Sequence, residues 1–340
     1  MPTPRENETQ EEFVSRCVID TESIQDFPDR EQRLAFCYSQ FDRYKSEYIK
    51  KDFVDDWRSA FSKRLQRAEN RLVARLKRFY KRNYFQAIDT FIQTNNIQTE
   101  GVFKTDDWKN IYIAIYTDIG MDFAKWYANN FRRYIPKSFD SEKLEDVFQQ
   151  AFNAYALQHA GTQIVLVQGT ALQTLKKILQ RRLQDPEFNS LGERERARIL
   201  RSEFTRYSDF QARRLVRTEA TNAANLGVEK GATTLFPPDQ LNKRWITARD
   251  GRVRSFFEGD KADHVEMERH PDIPFDGFFD VPTVFGSDKM RRPGDPSGTA
   301  ANRINCRCGI IPIPIEGAQA REGLTGVGVG LSGAGTSSIV

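Results

Sequence analysis

Two cysteines and two histidines are the side chains of this sequence best suited to chemistry. Cys306 and Cys308 flank one residue in Asn305-Cys306-Arg307-Cys308, and His264 and His270 precede them in the same irregular stretch. Thiolate and imidazole are what a tetrahedral zinc ion takes as ligands. A metal can also replace the core that a small region lacks. Structural zinc sites usually keep at least two residues between cysteines. Alternate side chains on a strand share one face, however, so both thiols can still meet one ion. The competing and plainer reading buries the cysteines in a sheet and leaves the histidines exposed. A Cys306–Cys308 disulfide would be strained.

The elements that must position these donors lie between Lys243 and Ile313. Trp245-Ile246-Thr247-Ala248 is a short apolar run with strand character. Asp250-Gly251 signals a tight turn, because glycine takes the positive φ that a hairpin needs. Arg252-Val253-Arg254 then reads as a return strand with cations on one face. Pro293-Gly294-Asp295-Pro296 reads as a rigid turn, and Gly309-Ile310-Ile311-Pro312-Ile313 as an edge strand, where prolines are tolerated. Upstream, Ser208 can cap a helix running to about Lys230. On it, Glu219 and Asn222 lie three apart and can face the small domain together. Their expected role is to hydrogen-bond its turns, with Arg217 binding an acidic turn residue, rather than catalysis.

In order, W-x-x-x-x-D-G-R-V-R from Trp245, a histidine, P-G-D-P from Pro293 and I-N-C-R-C from Ile304 resemble the C-terminal domain of the Mu F-like minor head proteins of tailed phages. These are also called phage head morphogenesis proteins. The helix segment Arg217-Thr218-Glu219, continuing to Asn222 and Asn225, is similar to that family's R-T-E…N segment. The resemblance spans about residues 205–315, a third of the chain. It departs where the family often has a histidine, here Phe257; after an insertion, Ser255 to Asp263, His264 is the counterpart. The resemblance implies a non-enzymatic component of the virion, at the capsid interior or portal vertex, made in the cytoplasm of the bacterial host. It would bind the portal protein and other capsid proteins and aid head assembly, DNA packaging or ejection. Arg217, Glu219, Asn222, Trp245, Asp250, Arg252, Arg254, Asp295 and Asn305 would then serve structure and docking.

Ahead of this domain the pattern is helical. Residues 1–10 read as disordered and 11–50 as a helical hairpin element, with Asp29 available as a cap after Phe27-Pro28. Cys17 and Cys37 lie one on each arm, and the preferred reading is two small apolar residues packing the hairpin, rather than a disulfide or metal site. Residues 51–204 read as a long-helix region. Trp57, Phe61, Leu65, Ala68, Leu72, Leu76 and Phe79 draw one apolar stripe. The same segment is basic, carrying Arg64, Arg67, Arg71, Arg75, Arg78 and Arg82, with Glu69 the single acid between Arg58 and Arg82. This is either a solvated face or a contact for DNA or an acidic protein. A second helix is expected from Asp106 to about Tyr134. A third, capped by Ser141, should run to Leu183 with a break or kink near Gly161. His159 on it reads as structural. Leu191 to Phe204 is the expected hinge, and residues 316–340 a flexible Gly-rich tail.

The fold class expected is therefore α+β: long helices, then a small domain with a short antiparallel sheet. Charged residues make up 29% of the chain and no apolar run is long enough to cross a bilayer. The net charge of +4 is too mild to make the whole protein a nucleic-acid binder. A secretory signal is not evident at the polar start. No G-x-S-x-G, H-E-x-x-H or P-loop occurs. A nuclease or an ADP-ribosyltransferase-like activity is the enzymatic alternative, and neither has a recognisable catalytic set.

Overall fold

The computed structural model describes residues 10–131 and 141–315, with Pro2 and Ala318 besides; for residues 10, 42–52, 141–144, 160 and 162 only the backbone is described. The stretches read as a disordered start and a Gly-rich tail lie almost wholly outside the described residues. The chain divides into two compact units, Met1–Ala60 and Phe61–Val340.

The first unit holds α1 (Gln10–Val18), α2 (Thr21–Asp26) and the start of α3 (Arg30–Thr94). Asp20 caps α2 through the Ser23 amide. The Asp29 carboxylate accepts the amides of Glu31 and Gln32 at 3.0 and 2.9 Å, the cap expected of it. Phe13, Val14, Cys17, Cys37 and Phe41 form the core. Cys17 and Cys37 are not merely packed, as expected, but joined as a disulfide. The hairpin brings their Cα atoms to 5.9 Å, the ordinary span of such a bond.

In the second unit the apolar stripe of α3 is buried from Phe61 through Phe79. α4 (Thr105–Asn130) ends before the expected Tyr134. α5 (Ser141–Leu183) runs through Gly161 without the expected break. Buried Ala156 and Ile164 on either side pin it, so packing outweighs a glycine penalty of about 1 kcal/mol. Asp185 caps the short α6 (Pro186–Ser190). α7 (Glu193–Leu235) corrects two expectations at once. Leu191 to Phe204 is no hinge, since most of it forms the first turns of α7 with Leu200 and Phe204 buried. Nor is Ser208 a cap; it sits inside the helix and donates to the Phe204 carbonyl at 2.7 Å. The boundary read at 204/205 therefore falls within one continuous helix.

α4 and α7 pack backbone to backbone. A Cβ at Gly227 would lie 2.5 Å from the Gly120 carbonyl oxygen, and one at Gly231 2.7 Å from that of Ala124. This contact sets α7 as the platform on which the remaining elements sit.

Beyond α7 come β1 (Leu241–Ile246), β2 (Ile273–Pro274), the hairpin of β3 (Phe279–Thr283) and β4 (Gly286–Met290), the one-turn α8 (Ala300–Arg303) and β5 (Gly309–Pro314). One antiparallel sheet has the order β2-β1-β5, with Leu241 opposite Pro314 and Ile246 opposite Gly309. The long helices and short antiparallel sheets make the protein α+β, and β5 is an edge strand as its prolines require. Arg252-Val253-Arg254 is not the return strand expected. β1 already has β2 and β5 on its two edges. The local turn closes instead through Val253 N–H to the Asp250 carbonyl at 3.0 Å. The positive φ belongs to Arg249 at 48°, not to Gly251.

Two substitutions test the helix contact. Gly227→Ala forces the α4 and α7 backbones apart and should destabilise by about 1–3 kcal/mol in urea unfolding. Gly169→Ala on α5, where nothing lies within 4 Å of the added carbon, should stabilise by about 0.5–1 kcal/mol. In the first unit, Cys17→Ser with Cys37→Ser opens a loop of 20 residues. Amide exchange of α1 and α2 should then quicken by an amount matching about 3 kcal/mol of lost loop-closure entropy.

Candidate metal centre

Three donors converge at the mouth of β5. His264, Cys306 and Cys308 offer ligand atoms all within 4.8 Å of one another, and all three residues are buried. The His264 Nδ1 lies 3.7 Å from Cys306 Sγ and 3.4 Å from Cys308 Sγ. Its Nε2 lies 3.0 Å from Asn302 Oδ1. The Asn302 amide is itself oriented, because its Nδ2 donates to Asp288 Oδ2 at 2.7 Å and towards the Val281 carbonyl. Asn302 Oδ1 can therefore only accept, so Nε2 carries a proton, and in the neutral ring Nδ1 turns its lone pair on the two sulfurs. The Trp245 ring stands edge-on to His264 at 5.7 Å. Cys306 is held well below the usual thiol range, first by its hydrogen bond with Cys308, and by His264 and Arg254, against burial. Cys308 is pushed up by that same bond and by burial. His270, expected as a fourth ligand, is not in the cluster. Its Nδ1 bonds the Pro271 carbonyl at 2.9 Å and its ring packs edge-on to Phe279.

Each element that carries the donors has an identifiable anchor. Arg254 donates to the carbonyls of Asn302 and Ile304, which fixes the chain entering the cysteine pair. Asn305 takes a positive φ of 59°, a region asparagine tolerates better than most residues, and its amide donates to Thr218 Oγ1 at 3.2 Å. Thr221 donates to the Cys306 carbonyl. The Asn225 amide reaches the carbonyls of Pro293 and Cys308 at 3.2 and 3.1 Å and accepts the Ile310 amide at 2.9 Å. Asp295 accepts the Arg291 and Ser297 amides at 2.8 and 3.0 Å. Burial raises its pKa, but Arg292 and these amides outweigh that and hold it low. Asp250 accepts from Arg252 and Arg307 at 2.7 and 3.1 Å, and these partners outweigh burial to lower its pKa.

The helix residues fall into a second polar cluster. Glu219 does not face the turns of the small sheet, as expected. It accepts the Tyr116 hydroxyl at 2.7 Å and lies 3.7 Å from His159 Nε2, on α4 and α5. Although burial drives its pKa up, His159 and Tyr116 outweigh that and keep it low. Asn222 does bridge the two regions: its Nδ2 donates to the hydroxyls of Tyr116 and Tyr155, and its Oδ1 accepts from Arg292 Nε at 3.1 Å. Arg217 meets Glu69 of α3 at 3.7 Å rather than an acidic turn residue. These two helix residues turn away from the small module because α7 is enclosed on several sides and each side makes its own demand for partners.

The six α3 arginines separate as well. Arg64 pairs with Asp122 at 2.6 Å, and Arg82 approaches Asp107 at 3.7 Å. Arg67, Arg71, Arg75 and Arg78 are exposed and enter no ion pair among the described residues. Sequence reasoning missed Asn302, Thr221, Arg292 and the pairing of His159 with Glu219. Of these only Glu219 had been singled out within a motif, and there with a different partner expected.

No family model matches the chain, no curated protein matches it, and no solved structure matches it.

Lys243 gives the region a pH signature. It is wholly buried, donates to the Arg291 carbonyl at 2.8 Å and lies over the Phe275 and Phe279 rings. Burial lowers its pKa from 10.5 to about 8. Between these two values the unfolded chain binds more protons than the folded one, so stability rises as pH climbs from about 8 to 10.5. The gain is about 3 kcal/mol at most. Lys243→Met should abolish this rise when urea unfolding of the two proteins is compared across that range.

Proposed function

We propose that this chain is a minor head (capsid) protein of a tailed phage, docking at the portal vertex through its C-terminal module and aiding head morphogenesis, DNA packaging or ejection. The observation that supports this reading is that most of the residues of the resemblance, Arg217 and Glu219 apart, meet in one knot. Asn225 of α7 donates to the Pro293 and Cys308 carbonyls, Asn222 accepts from Arg292 just ahead of the Pro293–Pro296 turn, Arg254 donates to the Asn302 and Ile304 carbonyls ahead of the cysteine pair, and Trp245 packs on His264. A pattern that codes for one packed unit is better support than separate short matches.

The knot also presents something to bind with. Phe257 is 93% and Phe285 89% exposed. Their loops are tied together, Val284 N–H to the Lys261 carbonyl at 3.0 Å and Asp263 N–H to that of Pro282 at 3.2 Å. Exposed aromatics on a tied pair of loops suit apolar pockets of a protein partner. Glu258, Asp260 and Lys261 around Phe257 give a mixed charge that does not suit a phosphate backbone. Arg67, Arg71, Arg75 and Arg78 step along α3 by three or four residues, and this is the surface for packaged DNA or an acidic partner. The protein acts by binding, in the virion, after synthesis in the host cytoplasm.

The test is recovery of the protein with portal protein from isolated heads. Phe257→Ser with Phe285→Ser should cut that recovery at least about tenfold while leaving thermal unfolding unchanged. Unchanged recovery, or cleavage of plasmid by the purified chain with a divalent metal, would overturn the reading in favour of another partner surface or of a nuclease.

A further inference from the structure

We infer that His264, Cys306 and Cys308 bind one zinc ion, which fastens the loop before β5 to the segment that follows the Asp250 turn. The inference is independent of the head-protein reading. It rests first on spacing. For zinc–sulfur and zinc–nitrogen bonds of ordinary length, a tetrahedral site puts sulfur and nitrogen about 3.6 Å apart. The two sulfurs lie 3.7 and 3.4 Å from one ring nitrogen, on either side of that value. A neutral imidazole has one lone pair and accepts only one S–H. An ion on that lone pair would engage both sulfurs at once.

The second support is the shell behind the ligands. The oriented Asn302, backed by Asp288, fixes the His264 tautomer so that Nδ1 is the free donor. Metal-bound histidines characteristically carry such a partner on their other nitrogen. The indole N–H of Trp245 is buried with no oxygen or nitrogen partner. It lies beside the Cys308 sulfur, where a metal-bound thiolate would accept it. Among the described residues no fourth thiolate, imidazole or carboxylate joins the three. The last tetrahedral position therefore falls to a water molecule. Sulfur donors select zinc over magnesium or calcium, which need oxygen.

Native mass spectrometry of the full chain, purified without chelator, should show one zinc. The His270→Ala chain should keep it, and the Cys306→Ser, Cys308→Ser chain should lose it. Since the latter variant risks misfolding, the wild-type chain is also stripped with phenanthroline and refilled with zinc sulfate. Two thiols per chain should become reactive to a disulfide reagent on stripping and be protected again on refilling. Cobalt in place of zinc should give the thiolate charge-transfer bands and intense visible bands of a tetrahedral site. A wild-type chain that holds less than about one tenth of a zinc ion and takes up none when supplied overturns the inference. So do thiols whose reactivity ignores the metal.

Discussion

The amide of Asn225 is fully buried, and a buried amide left unpaired costs about 1–3 kcal/mol. Its nitrogen faces the carbonyls of Thr221, Pro293 and Cys308, and its oxygen accepts the Ile310 amide. One side chain thus meets its own helix, the Pro-Gly turn, the cysteine pair and β5. The small module is arranged so that these backbone groups arrive together at one point on α7. Gly294 has no side chain for the same reason. It takes a φ of 80°, and a Cβ there would stand 2.9 Å from the Asn222 amide nitrogen. The turn can come close enough to Asn225 only if that atom is missing.

Around this point α7 is a helix with a polar interior. Glu219 meets Tyr116 and His159, while Arg292 meets Glu229, Asn222 and Tyr155. Buried ionised groups of this kind are costly to desolvate and add little net stability even when paired. What they supply is direction, because each has few geometries that satisfy it. Arg292 follows directly from this: its guanidinium reaches α5 and two positions of α7 at once, so the turn that carries it has one seating on the helices.

Much of the helical part was legible because Phe61, Leu65, Ala68, Leu72, Leu76 and Phe79 repeat at helical spacing, and all are buried. α7 was divided wrongly. Its buried set includes Glu203, Ser208, Glu219, Asn222 and Asn225, so no apolar stripe announces it, and Ser208 imitates a cap. The hairpin expected after Asp250 failed for a different reason. Strand pairing here is long-range, β1 with β5, and local turn chemistry carries no information about it. At the site, residue types identified Cys306, Cys308 and His264, but His270 shares its type with them and not its position. Asn302 was invisible, since an asparagine declares its partner only when a fold supplies one. Cys17 and Cys37 were placed one on each arm of the hairpin and read as packing residues, while the bond between them depends on a separation that sequence does not state.

β5 is the last strand of the described chain, and the earlier elements lean on it. It pairs with β1 along its whole length, offers the Pro312 carbonyl to Tyr127 of α4 and gives its Ile310 amide to Asn225 of α7. At Gly309 its backbone lies so near Phe61 of α3 that a Cβ would stand 2.9 Å from the ring. During synthesis, therefore, Phe61, Tyr127 and Asn225 emerge from the ribosome well before the strand that meets them. The helices of the second unit can pack on one another first, but these particular faces settle only when β5 has arrived.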